Sequence, residues 1–374
     1  MHSSSNGGLD RFFNGLVSEL SRLRVSHRAA VFGGPTPADS NEVSFGPATM
    51  SGWKRLWKVR EAANEYFRGR TFPMIASHFA FYAFPLIDLL RVYPHVVHFH
   101  GPWSGESAVE GESRGVVWAK RQIEQFVYRS ADRVIVLSAA FRDLLVKDFQ
   151  IDPARIVIIP GAIDSAAFLP SVSRQEARLR LGLPANRPIV LCVRRLVQRM
   201  GLEELIRAMA IVRTKIPNAL LLIGGQGPLQ VRLNEQIVRL GLSEQVRLLG
   251  FLPETDLPLA YRAADLSIVP SQALEGFGLT TLESLAAGTP VLVTPVGGLP
   301  EAVLGLNESL VLTGKTEGEI AQGLIAALAR QLPLPLEKAC QAYVSSKFDW
   351  KVVTPQILKV YGESVVGYEQ LLMC

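Results

Sequence analysis

The sequence predicts an α/β protein made of two domains, each built around a parallel β-sheet. Its 374 residues exceed what one ordinary hydrophobic core accommodates, so two domains are expected. Short runs of β-branched residues alternate with helical patterns in both halves, which is typical of parallel strands joined by crossover helices. The 31 glycines and 23 prolines supply the loops between them. Two such domains imply a cleft.

The strand candidates fall into two series, separated by a polar segment with a proline at residues 168–180. In the first half the candidates are residues 29–32, 74–76, 96–99, 134–137 and 156–159. In the second half they are residues 189–193, 220–223, 246–249, 266–269 and 291–294. We therefore predict an N-terminal domain over 1–170 and a C-terminal domain over 171–348.

The chain opens on a glycine turn, Gly7-Gly8, followed by a helical stripe that includes Phe12, Phe13 and Leu16. Such a turn normally follows a β-strand, and no apolar strand precedes it. Either the recorded start lies too far downstream or the first sheet lacks an inner strand. We favour a truncated start, and we expect the first strand of the N-terminal sheet to be missing.

Composition narrows the class of protein. The net charge of +5 is mild, so nucleic-acid binding is not indicated. No run of about 18 apolar residues and no signal peptide are found, which predicts a cytoplasmic protein. The three cysteines, Cys192, Cys340 and Cys374, are scattered and indicate a reducing compartment. No Cys/His/Asp cluster has metal-ligand spacing, so no metal site is predicted, and no P-loop or nucleophile elbow is found.

One stretch is locally basic. SGWKRLWKVREAANEYFRGR, residues 51–70, carries six Lys or Arg against two Glu. Its apolar residues recur at helical spacing; they are Trp53, Leu56, Trp57, Ala63 and Phe67. This helix either touches anionic lipid or packs its tryptophans on its own domain.

Ligands of doubly wound sheets bind at the carboxyl ends of the strands, so the loops that follow strands are inspected first. In SQALEGFGLTTLESLAAGTPVL, residues 271–292, Glu275 and Glu283 flank the run Gly276-Phe277-Gly278. A helix is predicted to begin near Leu279, and a helix N-terminus binds phosphate through its unpaired N–H groups and its dipole. Two carboxylates beside such a helix start suit a nucleotide sugar. Alternatively, Glu283 is a solvated helix residue and Glu275 caps the loop.

Two other loops of the second half extend the candidate crevice. Arg195 follows a strand and precedes a helix, so its guanidinium can reach a diphosphate, unless it forms a surface salt bridge. Gly225 and Gly227 follow the next strand and permit a base or ribose to lie against bare backbone. A lone glycine-rich loop is more often only a turn.

In the first half, VVHFHGPW ends a strand with His98 and His100 before a Gly-Pro turn. If alternation places Phe99 in the core, a histidine at the strand end faces the cleft. We expect His100, which is next to the turn, to meet the substrate. His98 is more readily explained as a buried histidine that is satisfied by backbone.

Together these motifs resemble a known family. RRLVQRMGLEELIRAM, LLIGGQGPL and VRLLGFLPETDLPLAYRAADLSIVPSQALEGFGLTTLESLAAGTPVLVTPVGGLPEAV are similar, in order and spacing, to the C-terminal domain of family 4 retaining glycosyltransferases of the GT-B fold. NGGLDRFFNGLVSEL, VVHFHGPW, DRVIVLSAAFRDLL and IIPGAIDSAAF resemble its acceptor-side domain, and FDWKVVTPQILKVY resembles its final helix. The resemblance implies two Rossmann-like domains facing across a cleft, with residues 349–374 crossing back to the N-terminal domain.

The resemblance also implies roles for matching positions. Glu275 would hold hydroxyls of the transferred sugar, Glu283 the ribose, and Arg195 the diphosphate, while His100 would hydrogen-bond the sugar being transferred. The catalytic residues would then be Glu275, His100 and Arg195. The remaining implied contacts are the backbone of Gly276, Phe277, Gly278 and Leu279 with sugar or phosphates, Gly225 and Gly227 with the nucleoside, and Gly7 and Gly8 with phosphate or acceptor.

The chain departs from the family at one binding motif. Where the family usually has Gly-Arg-Leu and then Lys-Gly, this chain has Arg194-Arg195-Leu196 and then Met200-Gly201. The diphosphate lysine is therefore missing. Arg194 or Arg199 can supply a second positive charge, and we expect Arg199 to do so.

The sequence thus predicts a retaining glycosyltransferase that moves a hexose from a nucleotide-diphosphate sugar to a glycan, lipid-linked or small-molecule acceptor, with no metal or other cofactor. We expect it in the cytoplasm, with peripheral contact to the inner face of the membrane through residues 51–70. Three alternatives remain. They are a phosphorylase or epimerase on the same fold, a non-catalytic nucleotide-sugar-binding subunit, and a membrane-docking scaffold built on Trp53 and Trp57.

Overall fold

The computed structural model describes residues 7–32, 41–47, 49–68, 72–169 and 171–372, with the backbone alone over 367–372. The chain divides into two compact units. The first comprises Met1–Gly161 and Trp350–Cys374, and the second comprises Ala162–Asp349. The divisions therefore fall at Gly161 and Asp349, compared with the expected boundaries at 170 and 348.

The strands found among the described residues of the first unit form two separate parallel sheets. They are β1 (Ala29–Val31), β2 (Glu42–Ser44), β3 (Ile75–Ser77), β4 (His95–Phe99), β5 (Arg133–Val136) and β6 (Ile156–Ile158). β1 pairs with β2, and the other four lie in the order β3-β4-β5-β6. Within the described ranges no strand precedes the helix that begins at Gly8, so the first strand, which the sequence predicts to be missing, is not found there.

In the described residues of the first unit, seven helices accompany these strands before the chain enters the second unit. They are α1 (Gly8–Arg22), α2 (Gly52–Phe67), α3 (Ala80–Ala83), α4 (Ile87–Leu90), α5 (Trp103–Val109), α6 (Arg114–Ser130) and α7 (Ala139–Phe149), with 3-10 turns at Phe84–Leu86 and Pro153–Arg155. Helices α3, α6 and α7 contribute to the core under β4 and β5, where Val97, Phe99 and Val136 are almost completely buried. Burial on both faces explains why these strands are nearly continuous apolar runs.

The second unit holds one five-stranded parallel sheet. Its strands are β7 (Ile189–Val193), β8 (Leu220–Gly224), β9 (Val246–Gly250), β10 (Leu266–Val269) and β11 (Val291–Val293). They lie in the order β11-β10-β7-β8-β9. Along the chain, β8 and β9 are added on one side of β7, and β10 and β11 are then added on its other side. The topological switch point, where doubly wound sheets bind ligands, is therefore between β7 and β10.

Eight helices of the described part of this unit cover the sheet. They are α8 (Arg174–Arg180), α9 (Leu202–Lys215), α10 (Gln230–Arg239), α11 (Leu257–Ala263), α12 (Leu279–Ala286), α13 (Leu299–Val303), α14 (Glu317–Leu328) and α15 (Glu337–Lys347), with 3-10 turns at Ala166–Phe168, Gln198–Met200 and Glu308–Leu310. The largest part of the core lies between β7, β8, α9 and α14 and includes Leu205, Met209 and Leu221. Helix α14 begins with a reciprocal capping box between Thr316 and Glu319, which fixes its start.

The last helix, α16 (Trp350–Leu372), belongs to the first unit. The ring of Trp350 lies 5.0 Å from that of Phe12 on α1, measured between centroids. A Cβ added at Gly15 would lie 2.6 Å from the same indole, so the two helices approach where α1 has no side chain. Of the helices in the described residues, none combines the length and the apolar character needed to cross a bilayer.

Candidate active site

The switch point of the second unit brings together two loops that are far apart in sequence. β7 and β10 are adjacent parallel strands, so the segments that follow them leave the same edge of the sheet. Arg194 comes directly after β7, and residues 270–278 lead from β10 to the start of α12. Arg194 and Glu275 meet there.

Arg194 connects the Glu275 carboxylate to the start of α12. Its Nη2 donates to Ser271 Oγ at 2.6 Å and also to Glu275 Oε2. Ser271 Oγ donates to the same carboxylate oxygen at 2.9 Å. Arg194 Nη1 lies 3.4 Å from Thr280 Oγ1, in the first turn of α12. The guanidinium therefore lies where the helix dipole and a carboxylate meet.

Glu275 is held in its ionised form. Its side chain is only 12% exposed. Burial raises the pKa of Glu275, but the charges of Arg194 and Arg199, together with the hydrogen bond from Ser271, outweigh it and keep the pKa below its ordinary value. Near neutral pH this carboxylate is thus a charged acceptor, suited to hydroxyl groups of a sugar.

The backbone around Glu275 is tightly constrained. Leu274 has φ of 53°, a left-handed conformation that is uncommon for a residue other than glycine. Gly297 has φ of 55°, and a Cβ there would lie 2.0 Å from the Glu275 carbonyl oxygen. The Gly298 N–H donates to the same oxygen at 2.9 Å. The loop after β11 therefore fixes the peptide that carries the carboxylate.

Glu283 lies inside α12 and is 2% exposed, so the alternative of a solvated helix residue does not hold. The Tyr261 hydroxyl donates to Glu283 Oε2 at 3.0 Å. The ribose contact that the resemblance implies for Glu283 stays a prediction.

Gly225 and Gly227 allow two loops of the second unit to approach each other closely. Gly225 has φ of 138°, and a Cβ there would lie 1.9 Å from the Arg194 carbonyl oxygen. A Cβ at Gly227 would lie 2.4 Å from the carbonyl oxygen of Leu196. These glycines therefore let the loop after β8 pack against the loop after β7. Their predicted contact with the nucleoside stays a prediction.

The run from Gly276 to Leu279 forms the entry to α12. Gly276, Phe277 and Gly278 are buried and Leu279 is half-buried. The Phe277 ring packs against Phe348, with centroids 5.4 Å apart. The ring of Phe277 is thus committed to the core, so a contact of this run with sugar or phosphates would come from its backbone.

The other two arginines of the predicted diphosphate site differ in exposure. Arg195 is exposed, whereas Arg199 is buried. Arg199 Nη1 donates to the Leu274 carbonyl oxygen at 3.2 Å, and its charge lowers the pKa of Glu275. Arg199 therefore supports the Glu275 loop. The diphosphate roles expected for Arg195 and Arg199 stay predictions.

The first unit carries a stack of histidines at the ends of β3 and β4. His78 follows β3, and His100 follows β4, with His78 Nδ1 and His100 Nε2 hydrogen-bonded at 3.1 Å. The His78 ring stacks on His98 with centroids 4.3 Å apart. Phe12 on α1 makes an edge contact with His100 at 5.1 Å.

These imidazoles are neutral at physiological pH. Burial lowers the pKa of His100 to about 4 and holds the pKa values of His78 and His98 well below the ordinary range. His98 Nε2 is hydrogen-bonded to the Tyr361 hydroxyl at 2.7 Å, so the expected backbone partner is replaced by a side chain of α16. Within the described ranges, no three His, Cys, Asp or Glu side chains are grouped to hold a metal ion.

Gly7 and Gly8 begin α1. Gly7 is its N-cap residue with φ of −78°, a conformation open to any residue. No described atom lies within 4 Å of a Cβ added at Gly8. Neither backbone conformation nor packing against described atoms requires glycine here. The predicted contact of both residues with phosphate or acceptor stays a prediction.

Comparison with known families matches both units. The family described as Glycosyltransferase Family 4 matches residues 6–167, and Glycosyl transferases group 1 matches residues 173–345. A D-inositol 3-phosphate glycosyltransferase of Corynebacterium jeikeium is 30% identical over 309 residues, which is 79% of this chain and 73% of that protein. The chain belongs to glycosyltransferase family 4.

Other family 4 relatives differ in how much of their length is matched. A D-inositol 3-phosphate glycosyltransferase of Salinispora arenicola is 34% identical over 263 residues, covering 66% of this chain but 58% of that protein. The mannosylfructose-phosphate synthase of Agrobacterium fabrum is 34% identical over 192 residues, or 49% of this chain and 42% of the relative. This chain thus spans less than two thirds of the length of these two relatives.

Solved structures establish the fold of this family 4 chain. Sucrose-phosphate synthase from Thermosynechococcus elongatus superposes with a TM-score of 0.80 at 24% identity, over 98% of this chain and 95% of that one. Anabaena HepE, solved in complex with UDP and glucose, superposes with a TM-score of 0.78 at 22% identity, over 97% and 98%. The fold is GT-B, with parallel sheets in two Rossmann-like domains, as predicted.

The sequence does not predict the placement of two side chains, one in each unit. Arg194 was weighed as a second cation, but its ion pair with Glu275 was not foreseen. The alternation of buried and exposed side chains along β7 continues past its end and indicates this placement, since Cys192 and Arg194 are buried whereas Arg195 is exposed. The sequence analysis does not single out His78, although this residue comes directly after β3, and His100 comes directly after the neighbouring strand β4.

Proposed function

We propose that this chain is a retaining hexosyltransferase that uses a nucleotide-diphosphate sugar as its donor. The observation that carries the proposal is the ionised Glu275, buried beside Arg194 and the start of α12 at the switch point of the second sheet. A carboxylate there accepts hydrogen bonds from sugar hydroxyls, while the helix start and the guanidinium groups attract phosphates. The complex of Anabaena HepE with UDP and glucose supports this class of ligand.

The proposed chemistry relies on electrostatic stabilisation of the leaving group. Positive charge and helix N–H groups stabilise the negative charge that grows on the departing diphosphate, an effect of several kcal/mol in a site that excludes water. The departing phosphate accepts the proton of the acceptor hydroxyl on the same face of the sugar. No carboxylate attacks the anomeric carbon, so Glu275 acts by positioning the sugar. Because guanidinium groups supply the positive charge, we propose that no metal ion is required.

For the acceptor we propose a glycan, a lipid-linked sugar or a small molecule. The names of the relatives, which include D-inositol 3-phosphate and mannosylfructose-phosphate, support a small phosphorylated acceptor.

The exposed tryptophans of α2 support contact with a membrane, since Trp53 is 85% exposed and Trp57 is 63% exposed. The interpretation that these rings pack on their own domain does not hold. We place the protein in the cytoplasm, and the free thiols of Cys192 and Cys340 support a reducing compartment.

A ligand panel followed by a transfer assay tests the proposal. UDP, GDP, ADP and their glucose and mannose esters are screened by thermal shift, because a ligand at 100 times its dissociation constant adds about 2.7 kcal/mol of stability. Any donor that binds is then incubated with and without acceptors. Transfer with retained anomeric configuration supports the proposal. Turnover of the donor alone indicates an epimerase, dependence on phosphate indicates a phosphorylase, and binding without turnover indicates a non-catalytic subunit.

A further inference from the structure

The lysine that the family has before Gly201 is Met200 in this chain, and the structure shows how that position is held. Met200 is 5% exposed and belongs to the core of the second unit. The Arg199 carbonyl accepts a hydrogen bond from the Gln272 N–H at 2.8 Å. A Cβ added at Gly201 would lie 1.9 Å from the Pro270 carbonyl oxygen. The residues on either side of Met200, Arg199 and Gly201, therefore both contact residues 270–272.

Arg194 reaches the same residues from the end of β7. Its Nη2 donates at 2.6 Å to Ser271, which lies between the two contacts just described. The side chain continues to the first turn of α12 through Thr280. At the position where the family has glycine, this chain therefore places a guanidinium next to the loop that Arg199 and Gly201 also contact.

The Arg194 side chain retains a donor for a ligand. Arg194 is 8% exposed, and its Nε is buried with no hydrogen-bond partner among the described groups. A buried donor without a partner costs free energy, so a ligand that supplies an acceptor is favoured. The Arg194 guanidinium is also a planar group of N–H donors, whose geometry matches the oxygens of a phosphate group.

We propose that Arg194 is a diphosphate-binding cation of this chain, beside the predicted Arg195, and that it takes over the role of the family lysine. The charge has then moved from position 200 to position 194. This proposal rests on the proposed function. It differs from the expectation drawn from the sequence, in which Arg199 supplied the second charge. Arg199 instead holds the Leu274 carbonyl and thereby the Glu275 loop.

Moving the charge back tests the proposal. The full chain is prepared as Arg194→Met, Arg194→Gly and the double variant Arg194→Gly/Met200→Lys, and the affinity for UDP is measured by calorimetry, with GDP and ADP as further probes. Arg194→Met and Arg194→Gly are expected to weaken binding about tenfold or more, since a hydrogen bond to a charged group is lost. The double variant is expected to regain most of this loss. Unchanged affinity in Arg194→Met, or a double variant no tighter than Arg194→Gly, overturns the proposal.

Controls separate this proposal from the proposed function. Arg239→Met makes the same change on the exposed end of α10 and is expected to bind as the wild type does. Thermal unfolding of each variant shows whether it is folded, and where Arg194→Met is not, the pair of glycine variants decides. If the wild type binds none of the nucleotides, the proposed function and this proposal both fail. If the wild type binds and Glu275→Gln abolishes transfer but Arg194→Met binds normally, only the Arg194 proposal fails.

Discussion

The two units present opposite chemistry at the carboxyl ends of their strands. In the second unit the ends of β7 and β10 carry an ion pair, Arg194 with Glu275, beside a helix start. In the first unit the ends of β3 and β4 carry uncharged imidazoles, with His78 hydrogen-bonded to His100. All six histidines of the chain lie at or before His100, outside the second unit.

The difference matches the two kinds of ligand group in the proposed function. A diphosphate is charged, and fixed opposite charges and dipoles bind it best in a partly buried site. Sugar hydroxyls are neutral, and a neutral imidazole offers both a donor and an acceptor without a charge to desolvate. The comparison therefore predicts that charge substitutions act most strongly in the second unit, whereas pH acts most strongly in the first.

The largest expected effect is a loss of stability of the first unit on acidification. Burial lowers the pKa of His95 to about 3 and that of His100 to about 4, from ordinary values near 6.5. Below pH 6.5 the unfolded chain therefore binds more protons than the folded one, so stability falls as the pH falls towards these folded values. Each fully buried histidine costs about 1.4 kcal/mol per pH unit in this window. The second unit contains no histidine.

Tryptophan fluorescence isolates the response of the first unit. All five tryptophans lie in it, at positions 53, 57, 103, 118 and 350. Fluorescence between pH 7 and pH 4 should therefore report unfolding of this unit, while hydrogen exchange of peptides from Ala162–Asp349 reports the second. The comparison is wrong if the second unit loses its protection against hydrogen exchange at a higher pH than that at which the first unit unfolds.

Glu275→Gln is expected to lower transfer by about 10² or more, because the amide keeps the size of the side chain but loses the charge that orients the sugar. Arg195→Ala should cause a loss of similar size if this arginine holds the diphosphate. The measurement is kcat/KM for transfer, with circular dichroism to confirm the fold. Glu235→Gln, an exposed residue on α10, is the matched control for charge loss. Near-normal rates for both site variants would contradict the assignment.

The fold could be predicted because strands and helices have regular hydrophobic periodicity. The site was harder to predict because the direction of a side chain in a loop does not follow from such a period. Ten of the strands were expected near their observed bounds because each is a short apolar run followed by a turn. β2 (Glu42–Ser44) was missed because Val43 is its only apolar residue. The pairing of Arg194 with Glu275 joins loops 81 positions apart, which local pattern does not reveal. The burial of Glu283 depends likewise on Tyr261, a residue of another helix.

His100→Phe tests the neutral side of the comparison and is expected to lower transfer about two- to tenfold, the value of one net hydrogen bond between neutral groups. Phenylalanine keeps a ring to contact Phe12, so packing changes little. The loss should appear in kcat/KM and leave nucleotide affinity unchanged, because His100 belongs to the first unit and the predicted nucleotide contacts lie in the second. A loss of UDP affinity as large as that of Arg194→Met would remove the distinction between the two units.

The smallest effect is expected at the surface of α2, where the double variant Trp53→Ala/Trp57→Ala should weaken binding to vesicles containing phosphatidylglycerol. The rings are exposed, and basic residues such as Lys54 and Lys58 lie beside them in sequence, each able to add about 1 kcal/mol near an anionic surface. Co-sedimentation measures the bound fraction, and phosphatidylcholine vesicles separate charge from apolar insertion. Leu179→Ala, which removes an 81% exposed apolar side chain from the second unit, is the control. If both variants sediment like the wild type, α2 is an ordinary exposed helix, and the comparison of the two units depends on their strand ends.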